Sequence, residues 1–324
     1  MQPTRLFNEN YSWEKNRKAE LALDLGTWQN RLLFSLSYYT SKSSNQLIAY
    51  SLPIQTGFST INRNWDATIR NWGWEFSLDG KLVERPDFSW NMRFNLAIPS
   101  NRLLSFPGLE SSSYAGRYVV GEPLSVKKLY TYLGIDREQG IYTFEDANQD
   151  GIWNKTDQNK LLNTDPRFYG GLSSNWRFKS WTMGILLDFR RQKGVSYVAA
   201  LTSMPGYGVL NHPKEVLDRW QHPGDEAEFQ RYVASSSDPA YAAGQRFLNS
   251  EGIYVDASYI KLRNFYLNYD WVPKNTTIFR HMNISIEAQN LLTLSRYKIG
   301  DPEIQNPFVT SPKRAIVLGL KLNF

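Results

Sequence analysis

The chain contains no cysteine, which removes disulfides, thiolate zinc sites, iron–sulfur clusters and cysteine nucleophiles in one step. Histidine is almost as scarce, with three in 324 residues, so imidazole-based acid–base or metal chemistry has little to work with. No stretch approaches the roughly 20 mostly apolar residues that a membrane-spanning helix needs. The opening MQPTRLFNEN also lacks the apolar h-region of a secretory signal. Long Lys/Arg runs are missing, and a formal charge of +6 spread over this length leaves no nucleic-acid footprint. Neither a Gly-rich phosphate loop nor a nucleophile elbow occurs. No catalytic residue is therefore assigned, and no enzymatic activity is expected.

What the chain has in quantity is aromatic side chains: 11 Trp, 19 Tyr and 17 Phe, far too many for a solvated coil. They recur at period two, which puts every second side chain on one face of a strand. In Ala315–Phe324 the even positions are Ile316, Leu318, Leu320, Leu322 and Phe324. Phe88, Trp90, Met92, Phe94 and Leu96 alternate with Ser89, Asn91, Arg93 and Asn95, and Trp72, Trp74, Phe76 and Leu78 with Gly73, Glu75, Ser77 and Asp79. Nine strands are expected, near 18–26, 31–41, 71–79, 87–98, 171–178, 181–193, 258–270, 281–292 and 315–324. One of them changes phase, because Ile260 and Leu262 hold one parity and Phe265, Leu267 and Tyr269 the other; a β-bulge near Arg263–Asn264 restores a single apolar face.

Two architectures share this alternation. In a soluble sandwich the apolar face is a protein core. In a transmembrane barrel it meets lipid, the polar face lines a wet lumen, and strands of about 9–11 residues cross the bilayer. Connection lengths separate the two. Short turns at Thr27–Asn30, Gly80–Pro86, Lys179–Ser180 and Trp271–Arg280 alternate with long segments at 42–70, 99–170, 194–257 and 293–314. Short turns at one end and long loops at the other describe an outer-membrane barrel with periplasmic turns and extracellular loops. Bacterial barrels have even strand numbers, and an open sheet leaves unpaired edges in lipid. The nine strands are thus expected to be the C-terminal part of a larger barrel, which also accounts for the absent signal.

With the strands in place, a resemblance emerges. Ser12-Trp13-Glu14, Ser37-Tyr38-Tyr39 with Leu52-Pro53-Ile54 and Thr56-Gly57, Asn71-Trp72-Gly73-Trp74-Glu75, and Asp165-Pro166-Arg167-Phe168-Tyr169-Gly170-Gly171 are spread along the chain. Phe144–Gly151 supplies a D-x-N-x-D-G loop. The tail is the most specific part: Ala257-Ser258-Tyr259-Ile260-Lys261-Leu262-Arg263-Asn264, then Ala288-Gln289-Asn290-Leu291-Leu292-Thr293, Asp301-Pro302-Glu303 and a terminal Phe324. In these residues the whole chain, 1–324, resembles the C-terminal portion of the barrel of SusC/RagA-type TonB-dependent outer-membrane transporters. The resemblance implies about nine strands of a 22-stranded antiparallel transmembrane β-barrel without its plug domain, located in the outer membrane. It also implies import of oligosaccharides or peptides, a SusD-like surface lipoprotein as lid, outer-membrane lipid as surroundings, and coupling to the TonB system through the absent plug. No nucleic acid is expected as partner.

Candidate sites are few. Asp146, Asn148, Asp150, Ile152 through its carbonyl, and Asp157 occupy positions 1, 3, 5, 7 and 12 of an EF-hand-like loop with Gly151 at position 6, and so are candidate calcium ligands. No other cofactor is expected. Asp in place of Glu at position 12, Lys155 within the loop and a strand-like Ile141–Phe144 in place of an entering helix depart from that pattern; an Asx-turn loop closed by its own hydrogen bonds is the structural alternative. Trp65, Trp153, Tyr207 and Trp220 lie in the long segments and are candidates for ligand or lid contacts, while Trp72, Trp74 and Trp90 belong with the interfacial aromatic belt. His212 and His222 flank Pro213–Gln221, read as a short amphipathic helix, at a separation that suits no i, i+4 metal pair. Arg93, Lys261, Arg263 and Lys321 with Asp24, Glu75, Asp188 and Glu287 give the polar face a mixed-charge wall. A soluble carbohydrate-binding or adhesive β-protein with a calcium loop is the alternative function. An all-β glycosidase would need two carboxylates facing one cleft, and nothing in the sequence pairs any two.

Overall fold

The computed structural model describes residues 6–8, 11–209, 211–273 and 280–324. Its frame is one antiparallel sheet of nine strands: β1 (Lys15–Thr27), β2 (Leu32–Ser44), β3 (Thr68–Glu84), β4 (Phe88–Ser105), β5 (Phe168–Phe178), β6 (Trp181–Arg191), β7 (Tyr259–Trp271), β8 (His281–Ser295) and β9 (Ala315–Asn323). They stand side by side in chain order, each paired with its sequence neighbours. All nine expected strands are present. β3 and β4 run to 17 and 18 residues, longer than their alternation suggested. β4 extends past the apolar stretch toward the long-loop end, whereas β3 extends at both ends and pairs Gly80–Glu84 with β4, so the expected turn Gly80–Pro86 shortens to the residues after Glu84. The last short turn lies partly at 274–279, outside the described residues.

Register converts alternation along each strand into rows across the sheet. Leu25, Phe34, Leu78, Phe94, Leu172, Leu187, Leu262 and Leu292 are successive cross-strand partners, an apolar row over eight strands. The neighbouring row on the opposite face reads Asp24, Ser35, Ser77, Asn95, Gly171, Asp188, Lys261 and Thr293. A slip of one residue would exchange the two rows, so the register is fixed by the pattern. The expected bulge is found: against β6 the pairing of β7 jumps from Leu262 to Asn264, leaving Arg263 as the extra residue, whereas against β8 the extra residue is on β8, where Asn290 and Leu291 face Arg263. It returns Phe265, Leu267 and Tyr269 to the apolar face. Gly170 is needed where β5 lies close to β4, since a Cβ there would sit 2.1 Å from the Asn95 carbonyl oxygen.

The sheet has no covering layer on its apolar face among the described residues: Ile316 and Leu318 are 67% and 76% exposed. Burial is concentrated instead in the long segments. There, Tyr130, Tyr142, Phe144, Ala243, Phe247 and Ile253 form one core and Ala67, Leu103, Phe106 and Leu109 another. The long segments are therefore folded, with two-stranded ladders at 46–51/60–65, 126–129/160–163, 132–135/142–144 and 193–195/254–256. Helices α1 (Tyr197–Leu201) and α2 (Pro239–Phe247) were not anticipated. α2 starts on Asp238, whose side chain accepts from the Ala240 amide, with Pro239 at its first position.

If the apolar rows face hydrocarbon, Phe94→Arg in the middle of the belt costs about 2–4 kcal/mol of stability. Ser77→Arg, on the opposite face one row away, stays within about 0.5 kcal/mol. Equilibrium denaturant unfolding of the protein folded into lipid vesicles measures both. Equal costs would put protein or water against the apolar rows.

Candidate functional site

The polar face is a wall of paired charges and amides. Arg93 donates to Asp79 across β3–β4 at 2.7 Å, and the Tyr266 hydroxyl donates to Asn175 Oδ1 at 2.9 Å over the small Gly184. Asp24 accepts from Ser35 on the adjacent strand. The mixed-charge wall read from alternation thus exists, with Asp79 as the partner that the sequence did not single out for Arg93.

Its most buried element joins the sheet to the last long segment. Lys261, only 4% exposed, donates from Nζ to Asp301 Oδ1 at 2.6 Å and to Glu303 Oε2 at 2.8 Å. Arg263 Nη2 bridges Asp188 Oδ2 at 2.7 Å and Glu303 Oε2 at 2.6 Å. Gln192 Nε2 adds a 2.7 Å bond to the Pro302 carbonyl, so the strap 301–303 is held by β7 and by the residue following β6. Burial raises the Glu303 carboxyl, but hydrogen bonds from Lys261 and Arg263 outweigh it and hold the group below its ordinary range. The bulge matters here, because it gives Arg263 a place on the wet side beside Asn264. Sequence reasoning connected Lys261, Arg263 and the Asp301-Pro302-Glu303 run only through family resemblance; their contact is set by tertiary structure.

The Asp146–Asp157 loop follows the strand Tyr142–Phe144 and is closed by its own side chains. Asp157, fully buried, accepts from the Ala147 amide at 3.1 Å and the Asn154 amide at 2.8 Å, completing a capping box with Asn154. Asp146 Oδ2 accepts from the Gly151 amide at 2.8 Å, and Asp150 Oδ1 accepts from the Ile152 amide at 2.7 Å. Asn148 donates to the other Asp150 oxygen at 2.8 Å. No set of three or more His, Asp or Glu side chains is gathered as metal ligands among the described residues. Asp146 Oδ1, however, is buried without a hydrogen-bond partner.

The four aromatic candidates are not brought together. Trp65 donates to the Pro107 carbonyl at 2.8 Å and packs on Tyr50 and Phe106 in the core of the first long segments. Trp153 lies under the Arg246 guanidinium, 4.7 Å from its ring centroid, and Tyr207 packs on Tyr241 at 4.6 Å. Trp220 donates to the Arg137 carbonyl at 2.8 Å and covers Gly140, where a Cβ would come within 2.3 Å of the indole. The expected helix at 213–221 is only a 3₁₀ turn, Lys214–Asp218, because Arg219 is already extended and the Trp220 amide is drawn to the Phe229 carbonyl. His212 is occupied between the Leu201 carbonyl and the Gly206 amide.

A cleft of about 390 Å³ between these folded segments was invisible in the sequence. Tyr132, Tyr197, Phe229, Tyr297, Glu228 and Arg296 line it. The Tyr197 and Tyr297 hydroxyls are spent on the Gln305 and Val195 carbonyls, so these tyrosines offer mainly ring faces. Burial pushes the phenols of Tyr132 and Tyr297 up to about 12, leaving them neutral at physiological pH.

Lys261→Met leaves Asp301 buried without its cation and costs about 3–5 kcal/mol in unfolding experiments. Acid loosens the same strap. The Glu303 carboxyl is depressed in the folded state, so its contribution is complete above the ordinary value of 4.5 and disappears as pH falls through the lower folded-state value. Amide exchange at 301–303 accelerates in that window in the native chain and is already fast at neutral pH in Lys261→Met.

Comparison with known proteins places this geometry. The family model described as "TonB dependent receptor-like, beta-barrel" matches residues 2–291. TonB-dependent receptor P3 of Formosa agariphila is 25% identical over 93% of this chain and 32% of its own length. TonB-dependent receptor SusC of Bacteroides thetaiotaomicron is 24% identical over 99% of this chain and 33% of its own. The chain spans about a third of the length of these relatives. A solved structure of the RagAB peptide transporter superposes with a TM-score of 0.79 over 98% of this chain and 36% of the matched one, at 22% identity, a likeness of fold. Nine meandering strands, a two-faced register and folded segments at one end, together with these matches, show that the chain belongs to the TonB-dependent receptor β-barrel family, as a partial barrel homologous to SusC.

Proposed function

We propose that this chain forms part of the wall of an outer-membrane importer that takes up oligosaccharides or peptides. One observation carries the reading: an unbroken apolar row over eight strands backs directly onto a polar one. A soluble carbohydrate-binding or adhesive protein would cover that apolar face with a second layer, and among the described residues none does. In a bilayer the same face meets acyl chains, and the charged wall of Arg93, Asp79, Arg263 and Asp188 borders the route of a hydrophilic nutrient. Strands beyond these nine would pair the free edges of β1 and β9, and a plug outside these strands would couple transport to the TonB system.

The folded segments at the long-loop end are the extracellular side in this proposal. Their aromatic cleft suits a sugar ring or an apolar peptide side chain, and a SusD-like lipoprotein would close over them. Calcium enters the proposal at the Asp146 loop, supported by the ligand spacing and by the buried, unpartnered Asp146 Oδ1. An ion would have to rearrange the loop's present hydrogen bonds. Isothermal titration of the detergent-solubilised protein with millimolar calcium is expected to give binding heat that Asp146→Asn abolishes; no heat from the native protein rejects the ion.

Absence of cysteine makes the orientation directly testable. In intact cells a membrane-impermeant maleimide is expected to label Ser236→Cys in a long segment and to spare Arg85→Cys in a short turn until the outer membrane is permeabilised. Equal labelling of both, or recovery of the protein from the soluble fraction, removes the membrane reading and the import role with it.

A further inference from the structure

The apolar rows end, toward the long-loop side, in a row of cations. Arg17 pairs with Lys42, Lys42 with Arg70, and Arg70 with Arg102, four positive side chains in register across β1, β2, β3 and β4. They lie on the apolar face. Two residues below them come Ala19, Thr40, Trp72 and Ser100, and two further down Leu21, Tyr38, Trp74 and Ile98. Side-chain contacts agree, since the guanidinium groups of Arg70 and Arg102 stand 5.2 and 5.9 Å from the Trp72 ring and Arg70 Nε donates to Thr40 Oγ1 at 3.2 Å. All four are exposed, and none forms an ion pair among the described residues.

Like charges directly opposite one another destabilise a sheet, and strands stand only about 4.8 Å apart. Four in succession, with no ion-pair partner among the described residues, form an arrangement that an external anion would relieve. Its position limits what that anion is. Arg70 is four residues from Trp74, about 13 Å along the strand at 3.3 Å per residue, beyond the upper edge of the apolar belt. A group bound there would be continuous with chains lying against Tyr38, Trp74, Ile98 and Leu36. We propose that Arg17, Lys42, Arg70 and Arg102 bind the phosphate-bearing headgroup of an outer-leaflet lipid whose acyl chains lie on the apolar rows beneath. Multiple guanidinium donors suit phosphate oxygens, Trp72 holds two of the cations in place, and the acyl contact distinguishes a lipid from a soluble anion. The inference rests on the membrane reading above.

Bromine-labelled lipids separate the two. The protein is reconstituted in phosphatidylcholine vesicles and its tryptophan emission is measured. In the first arm all acyl chains are brominated; quenching is expected, and its absence defeats the membrane reading itself. In the second arm one lipid in ten is brominated, either phosphatidic acid or phosphatidylcholine. The native protein is expected to be quenched at least threefold more by the phosphatidic acid. That preference is expected to fall to about one in the variant Arg17→Gln/Lys42→Gln/Arg70→Gln/Arg102→Gln, and to persist in Lys127→Gln/Lys155→Gln/Lys214→Gln/Lys313→Gln, which loses the same charge elsewhere. The pair Arg17→Gln/Lys42→Gln gives the intermediate value and covers the case in which the fourfold variant does not fold. First-arm quenching without a headgroup preference, or a preference that survives the ladder variant, overturns the proposal while leaving the membrane reading intact. Loss of the preference in millimolar inorganic phosphate overturns it in favour of free phosphate.

Discussion

A backbone amide in hydrocarbon has no water to bond when its partner is missing, and each unsatisfied group costs several kcal/mol. The nine-stranded sheet is a form that meets that constraint. Its strands pair consecutively, so every interior strand has both sides satisfied, and the period of two then sorts side chains between two faces. The rows through Leu25 and through Asp24 are the outcome: one is apolar and the other polar, and in the proposed membrane setting they meet lipid and water, separated by the thickness of a single sheet.

The energetics differ between sheet and loops. The sheet buries little in protein, and in the proposed setting its apolar rows depend on the bilayer for their burial. The long segments have to fold as a soluble protein does, around cores such as Tyr142 stacked on Phe247 at 4.2 Å. The two regimes meet at the strap 301–303, where Lys261 and Arg263 of β7 grip Asp301 and Glu303. A buried pair of this kind contributes geometry more reliably than net stability, because desolvation offsets much of its attraction. Here it fixes where the last segment crosses the wet face. The cation ladder of Arg17, Lys42, Arg70 and Arg102 marks the opposite boundary, on the lipid side, where charge is left without a protein partner.

Alternation by itself determined the nine strands, their order as hairpins, the two faces and the bulge at Arg263, because a strand's side-chain period is local and survives without tertiary context. Connection lengths determined which end carries the turns. Tertiary structure alone decided the rest. Strap and wall lie 40 residues apart in sequence where Lys261 meets Asp301, and no local pattern joins them. Trp65, Trp153, Tyr207 and Trp220 read alike as loop aromatics, yet each is committed to a different neighbour. The cleft beside Tyr132 and Tyr297 draws its lining from five separated stretches of chain. The ladder needed register, since Arg17, Lys42, Arg70 and Arg102 are isolated residues until pairing aligns them. Period is encoded residue by residue, whereas convergence of distant side chains is a property of the folded backbone.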